Sequence, residues 1–277
     1  MKKLVMTICI SLFLCLSAYA AEDFTGAEWG EYIDSGSVTF APFGTTLNIS
    51  ASDGDAPYAW GTYSSNFSNS LGGTVTLNID SMGGDGQVGV QKYVARNTSG
   101  NRIQVQVYLS SWDGRNTLRY RIRERSDDNS INKKLAVGYF GDNTSATWSL
   151  GESLTLGFWY KNSVAYFYCS KFPGQLTQVY LSQIESTEES DFQVYALTEN
   201  RSTLSATARD LNIDTNLSQL RSLTEAFFVN QIPIQSNLSF TVPSMSFESL
   251  DIWTKFKFSG ELNGKLMFEL ESYGVNE

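Results

Sequence analysis

The chain contains no histidine. This removes the commonest general base, the commonest metal ligand and every Ser-His or Cys-His nucleophile. Cysteine is nearly absent too, with three residues in 277. Cys9 and Cys15 fall in the N-terminal leader described below, which leaves Cys169 without an intrachain partner. Cys169 ends the apolar run 164–168, which points to burial. Basic residues are also in the minority, 20 against 29 acidic, for a formal charge of −9. Loss of Lys2 and Lys3 with the leader would take this to −11. That balance opposes general nucleic-acid binding, which needs a basic footprint. Past the leader there is no apolar run long enough to span a bilayer, so no transmembrane segment is expected in the mature chain.

The leader has the form of an export signal. Lys2 and Lys3 precede an apolar stretch at 4–16, and Ala18-Tyr19-Ala20 offers a small-x-small cleavage site. Residues 1–20 are therefore expected to be a signal peptide, and the mature chain to be secreted, periplasmic or extracellular.

Nearly every later segment has strand periodicity, and long helical stripes are missing. Gly- and Asn-rich breaks fall at 72–73, 83–86, 99–101, 113–114 and 141–143, where such residues end strands by tolerating positive φ. The pattern predicts an all-β fold, a sandwich or barrel. An acidic, Ser/Thr-rich loop is expected at 185–191. Organisation is expected as a main β domain over 21–214, a linker over 215–236 and a small β segment over 237–277. A short helix is expected within 216–228, with Thr215 or Asn216 near its N-cap.

The most informative segments are 102–110 and 117–125. Ile103, Val105, Val107 and Leu109 alternate with Arg102, Gln104, Gln106 and Tyr108. Leu118, Tyr120 and Ile122 alternate with Arg119, Arg121, Arg123 and Arg125. With a turn at 111–116, Tyr108 lies opposite Arg119, Gln106 opposite Arg121 and Gln104 opposite Arg123. The hairpin then has one dry face and one wet, polar face. Segment 86–96 adds Gln87, Gln91 and Tyr93 to the polar set, with Lys92 breaking the alternation. Segment 74–80 is expected to add Thr74, Thr76, Asn78 and Asp80 to the same face.

The stretch from Ala59 to Asp214 resembles the concanavalin A-like lectin/glucanase superfamily. The residues that carry the likeness are Trp60-Gly61-Thr62-Tyr63, the 74–80 strand, the hairpin, the run from Leu154 to Val164, and Ala208-Arg209-Asp210-Leu211-Asn212-Ile213 as a closing strand. The resemblance implies a two-sheet antiparallel jelly-roll sandwich whose concave front face serves carbohydrate. Three family features are missing: the Glu-x-Asp-x-x-Glu strand of its glycosidases, the Gln-x-His strand of its lyases, and a legume-type metal loop.

The polar face nominates binding residues. Arg119, Arg121 and Arg123 offer planar donors suited to carboxylate or sulfate. Tyr93 and Tyr108 suit stacking on sugar rings. Gln87, Gln91, Gln104 and Gln106 suit hydroxyl recognition. Trp112, in the hairpin loop, suits a sugar platform. Trp60 is open between roles, and Trp159 is expected in the core. The alternative for the arginines is a solvated face that resists edge pairing. Structural calcium is a further candidate, with Asp210 on the closing strand and the pairs Asp53/Asp55, Asp80/Asp85 and Asp127/Asp128 as oxygen donors. Three functions stay open: an exported protein binding a glycan or cell-surface polysaccharide, acidic by preference; a glycoside hydrolase or polysaccharide lyase with an unusual site; and a structural envelope component.

Overall fold

The computed structural model describes residues 21–65, 69–141, 147–173, 176–188 and 190–220, with the backbone alone at 254–258 and 268–272. Alternating β-branched and aromatic residues make most of this chain strand. The strands are β1 (Trp29–Ser35), β2 (Ser37–Phe43), β3 (Thr46–Ser52), β4 (Tyr58–Ser65), β5 (Gly72–Asn97), β6 (Arg102–Trp112), β7 (Arg115–Arg125) and β8 (Asn132–Tyr139), then β9 (Ser153–Lys161), β10 (Val164–Cys169), β11 (Leu176–Tyr180), β12 (Ile184–Thr187), β13 (Gln193–Asp214), β14 (Thr254–Phe258) and β15 (Phe268–Ser272). All their pairings are antiparallel.

Two long strands, β5 and β13, each serve two sheets. Their first and second halves pair with each other on both sides of a shared bend, Glu199 opposite Asp85 before it and Thr203 opposite Gly83 after it. Sheet one runs β1-β4-β13-β5-β6-β7-β8. Sheet two runs β2-β3-β13-β5-β9-β10-β11. The alternating apolar residues of both meet between them, among them Val75, Leu77, Ile79, Val88, Val90, Val105, Val107, Leu156 and Phe158, in one buried core. The fold is thus an all-β antiparallel sandwich of the jelly-roll kind, as the alternation and the resemblance implied.

The bend corrects the expected break at 83–86. The glycines there turn the strand from one sheet into the other without ending it. Gly84 has φ of 117°, and a Cβ on it would sit 2.2 Å from Ser202 Oγ. Across from it, Asn200 and Arg201 take φ of 64° and 60°, an unfavourable region for side-chain-bearing residues. Buried Asp53 holds them, accepting the N–H groups of Arg201 and Ser202, each at 2.6 Å. Ser202 Oγ accepts the Asp85 N–H at 2.7 Å, and Asp85 accepts from Asn200 Nδ2 at 2.8 Å and from the Asp113 N–H at 3.0 Å. Hydrogen bonds to charged carboxylates are stronger than neutral ones, so the pair of bends and the β6–β7 turn are tied together.

Other expectations change with this crossing. Thr74, Thr76, Asn78 and Asp80 precede the bend and lie on the outer face of sheet two, not with the Gln/Arg set of sheet one. Thr76 instead meets Thr155 of β9 at 3.0 Å. Part of the expected 185–191 loop is strand, since β12 pairs with the end of β5. Trp159 is fully buried as expected, but in a smaller cluster with Leu217 and Leu220, apart from the main core. Its Nε1 donates to Asp214 at 3.0 Å. Asp214 also accepts the N–H groups of Asn216, Ser218 and Gln219, so it carries most of the capping expected of Thr215 or Asn216; Asn216 Oδ1 supplies one further bond, to Ser218 N–H. Residues 215–217 are a bend and helix is described at 218–220, two residues later than expected; residues 221–228 lie outside the described residues. Cys169 is buried, and burial pushes its thiol up to about 11.

The chain divides into Met1–Pro233 and Ile234–Glu277. In the second unit β14 and β15 pair antiparallel, with Phe258 opposite Phe268. The expected signal peptide lies outside the described residues, as does all of the 215–236 linker after residue 220.

Candidate functional site

The β6–β7 hairpin closes through Asp113-Gly114, with φ of 50° and 71°, the pair of positive values that matches a right-twisted two-residue turn. The turn is tighter than the expected 111–116, but the register is the same. Tyr108 faces Arg119, Gln106 faces Arg121 and Gln104 faces Arg123. On the other side of β6, Gln91 faces Gln106 and Tyr93 faces Gln104. Because side chains alternate with a period of two, all of these stand on the outer face of sheet one. They line a groove of about 760 Å³. Gln87, Gln91, Tyr93, Gln104, Gln106, Tyr108, Trp112, Arg119, Arg121 and Arg123 all contribute to it. Trp60, open between roles, also lines it.

This face is far drier than its composition suggests. Gln91, Gln104 and Tyr108 are at most 2% exposed, and Arg121 is 8% exposed. The polar groups of Arg121, Gln106 and Gln91 satisfy one another across the strands. Arg121 Nε donates to Gln106 Oε1 at 2.7 Å, and Gln106 Nε2 donates to Gln91 Oε1 at 2.6 Å. Gln91 Nε2 donates to Gln193 Oε1 at 2.8 Å, and Gln193 Nε2 donates to Ser64 Oγ at 3.1 Å. The chain crosses five strands and fixes which end of each amide faces its neighbour. Connected polar networks of this kind rigidify a face. Beside them, the rings of Tyr108 and Tyr195 approach edge to face, 6.5 Å between centroids. Gly89, opposite Tyr108, permits this. A Cβ there would stand 2.3 Å from the Val107 carbonyl oxygen.

The electrostatics are one-sided. Among the described residues, the ion pairs engage Arg96, Arg102, Lys171 and Arg209. Arg119, Arg121, Arg123 and Arg125 form none. Arg121 lies over the Tyr108 ring at 5.0 Å and Arg119 over the Tyr139 ring at 4.7 Å. The buried Nε atoms of Arg119, Arg123 and Arg125, and the buried Gln104 Oε1, have no hydrogen-bond partner among the described residues. Burial first, then the neighbouring Arg121 and Arg125 charges, bring Arg123 down to about 10. It is still a cation at neutral pH. A row of half-buried cations without anions is costly to maintain and offers donors to any anion that enters.

Tyr195 is enclosed beneath Arg121 and Arg123, and its burial raises its phenol well above the usual range. Burial raises Tyr63, Tyr120, Tyr160 and Tyr168 in the same direction. A raised phenol contributes stability below its unfolded value near 10, and this is lost as pH climbs through the folded value. The lowered Arg123 acts oppositely, since the folded chain sheds its proton first. Five tyrosines outweigh one arginine, so stability falls above about pH 10. Thermal melts across the alkaline range check this, and Tyr195→Phe shifts the fall to higher pH. A flat melting temperature from neutrality to pH 11 contradicts it.

Most of the calcium candidates are otherwise engaged, Asp127 with Arg96 at 3.1 Å among them. Asp210 is exposed on a bulge of β13 with its carboxylate 3.8 Å from Arg209, a poor setting for a divalent cation. Asp53 and Asp85 accept the bonds described above. Asp80 accepts from Thr207 at 3.1 Å. Asp128 accepts from Ser126 and Ser130, which hold it down to about 2. Among the described residues no group of three or more acidic, cysteine or histidine side chains comes together, whereas calcium wants six to eight oxygens.

Several groove residues were not anticipated as site residues. Arg102 and Arg125 lay in the alternation and were legible there. Tyr32, Asp34, Tyr58, Glu199 and Lys134 also line the groove. They come from β1, β4, β13 and β8, whose placement in one sheet with the hairpin no local pattern reveals.

No family model and no curated protein sequence matches the chain. Solved structures do resemble it at low identity. An alginate lyase from Klebsiella pneumoniae is 13% identical, covering 68% of this chain and 87% of its own, with a TM-score of 0.41. A β-glucanase from Bacillus licheniformis is 10% identical, covering 70% and 97%, with a TM-score of 0.44. The carbohydrate-binding module CBM66 from Bacillus subtilis is 8% identical, covering 67% and 95%, with a TM-score of 0.39.

Proposed function

We propose that this chain is an exported glycan-binding protein whose sheet-one groove holds an acidic polysaccharide. The observation that carries the reading is the row Arg119, Arg121, Arg123 and Arg125, which lines a preformed concave groove and forms no ion pair among the described residues. Guanidinium pairs well with carboxylate and sulfate. The ordered glutamines and the Tyr93 and Tyr108 rings supply the hydrogen-bonding and stacking surfaces that sugars use. Because the network is already set, binding needs little rearrangement, which lowers its ordering cost.

Retention on immobilised glycans tests this. The protein is expected to be held by a polyuronate or sulfated polysaccharide, to pass a neutral glucan, and to elute near 1 M salt, where the screening length is about 3 Å. Equal behaviour on neutral and acidic matrices removes the reading. Unsaturated or reducing ends appearing in the eluate would turn it into an enzyme. The enclosed, protonated Tyr195 is poorly placed to act as the base of such a reaction.

A further inference from the structure

The groove has two unlike ends. Its β6–β8 side carries Arg119, Arg121 and Arg123 with Lys134. Its β1–β4–β13 side carries Trp60, Tyr32, Asp34 and Glu199. Trp60 and Tyr32 stand edge to face, 5.9 Å between centroids. Asp34 is held in place by the Tyr58 hydroxyl, which donates to it at 2.6 Å. Three strand spacings separate β13 from β7, about 14 Å, and four separate β4 from β7, about 19 Å. The glutamine network forms the floor between.

Each end suits a different chemistry. A carboxylate or sulfate over Arg121 and Arg123 meets unneutralised cations. The same anion near Asp34 and Glu199 meets two carboxylates, and like charges at such range repel by about 1 kcal/mol or more. An uncharged ring there finds an aromatic surface instead. Resting on the acidic-glycan reading above, we infer that the ligand is a mixed glycan, with an anionic residue seated on Arg121 and Arg123 and a neutral sugar seated on Trp60 and Tyr32. Asp34 and Glu199 act as the discriminating residues, excluding chains in which every ring is charged.

The test compares two length-matched probes by calorimetry. Hyaluronan oligosaccharides alternate a uronate with a neutral sugar; oligogalacturonates carry a carboxylate on every ring. The wild-type protein is expected to prefer hyaluronan by about tenfold, the ratio that one to two kcal/mol of repulsion gives. Asp34→Asn with Glu199→Gln is expected to raise oligogalacturonate affinity and bring the ratio near one. Trp60→Ala is expected to weaken hyaluronan binding about fivefold. Equal wild-type affinities, or a ratio that the double variant leaves unmoved, overturn the inference. If oligogalacturonate binds better and Arg123→Met weakens it, the inference falls while the acidic-glycan reading stands. If neither probe binds at low salt, both fall.

Discussion

Arg123→Met is expected to abolish most binding of acidic polysaccharide while leaving the free protein as stable as before, or more so. Affinity should fall about 10- to 100-fold, the worth of one charge-assisted hydrogen bond to an anion. Stability should rise because the guanidinium is half buried, lies between Arg121 and Arg125, and has no anionic partner among the described residues. Replacing a poorly compensated buried charge by an apolar chain of similar length is commonly neutral or stabilising, by about 1–3 kcal/mol. In a domain this size each kcal/mol moves the melting temperature by about 2–4 °C. Arg121→Met should separate from it. Arg121 Nε donates to Gln106 at 2.7 Å, so its removal orphans a buried carbonyl and costs about 1–2 kcal/mol besides lowering affinity. Titration calorimetry and thermal melts on both variants check the pair. An Arg123→Met protein that melts well below wild type would show that the row is structural and not held for a ligand.

Asp53→Ala is expected to be the most destabilising single change outside the core, by about 3–5 kcal/mol. Asp53 is 3% exposed and receives two backbone donors at 2.6 Å. Removing it leaves both N–H groups buried and unpaired, each costing about 1–3 kcal/mol. The loss also releases Asn200 and Arg201 from positive φ, which relaxes the bend of β13 against that of β5. Since both strands feed the groove floor, binding should weaken along with stability. Asp53→Asn, which keeps one acceptor, should recover part of each. Chemical unfolding of the three proteins gives the ordering. An alanine variant within about 1 kcal/mol of wild type contradicts the role assigned to this carboxylate.

Legibility in the sequence followed the range of the forces involved. The β6–β7 register was readable because both strands alternate strictly, and a slip of one residue would turn every apolar side chain outward. Ten candidate residues spread over β5, β6 and β7 therefore fell into one groove. The crossing of β5 was not readable. Gly83-Gly84-Asp85-Gly86 looks the same whether it ends a strand or bends it, and only the neighbouring bend at Asn200-Arg201, over a hundred residues later, decides between them. That misplaced Thr74, Thr76, Asn78 and Asp80 onto the groove face. Lys92, which broke the alternation, points inward and its ammonium reaches the Ser190 carbonyl, a tertiary contact that no periodicity carries. Apart from Trp60, left open between roles, the acidic and aromatic side of the groove was missed for the same reason. Asp34 and Glu199 are unremarkable in sequence and meet only when β1, β4 and β13 align. Among the described residues the calcium candidates are not gathered into one cluster: backbone, amide and hydroxyl donors occupy Asp53, Asp80, Asp85 and Asp128, and Asp127 and Asp210 lie beside arginines.

A crystal structure of the protein with a bound uronate-containing oligosaccharide decides most directly whether the arginine row is a ligand site. A sugar carboxylate within about 3 Å of the Arg121 and Arg123 guanidinium nitrogens, with the Gln106–Gln91–Gln193 chain unmoved, is the expected result. An oligosaccharide seated elsewhere, with these arginines bare, would contradict it.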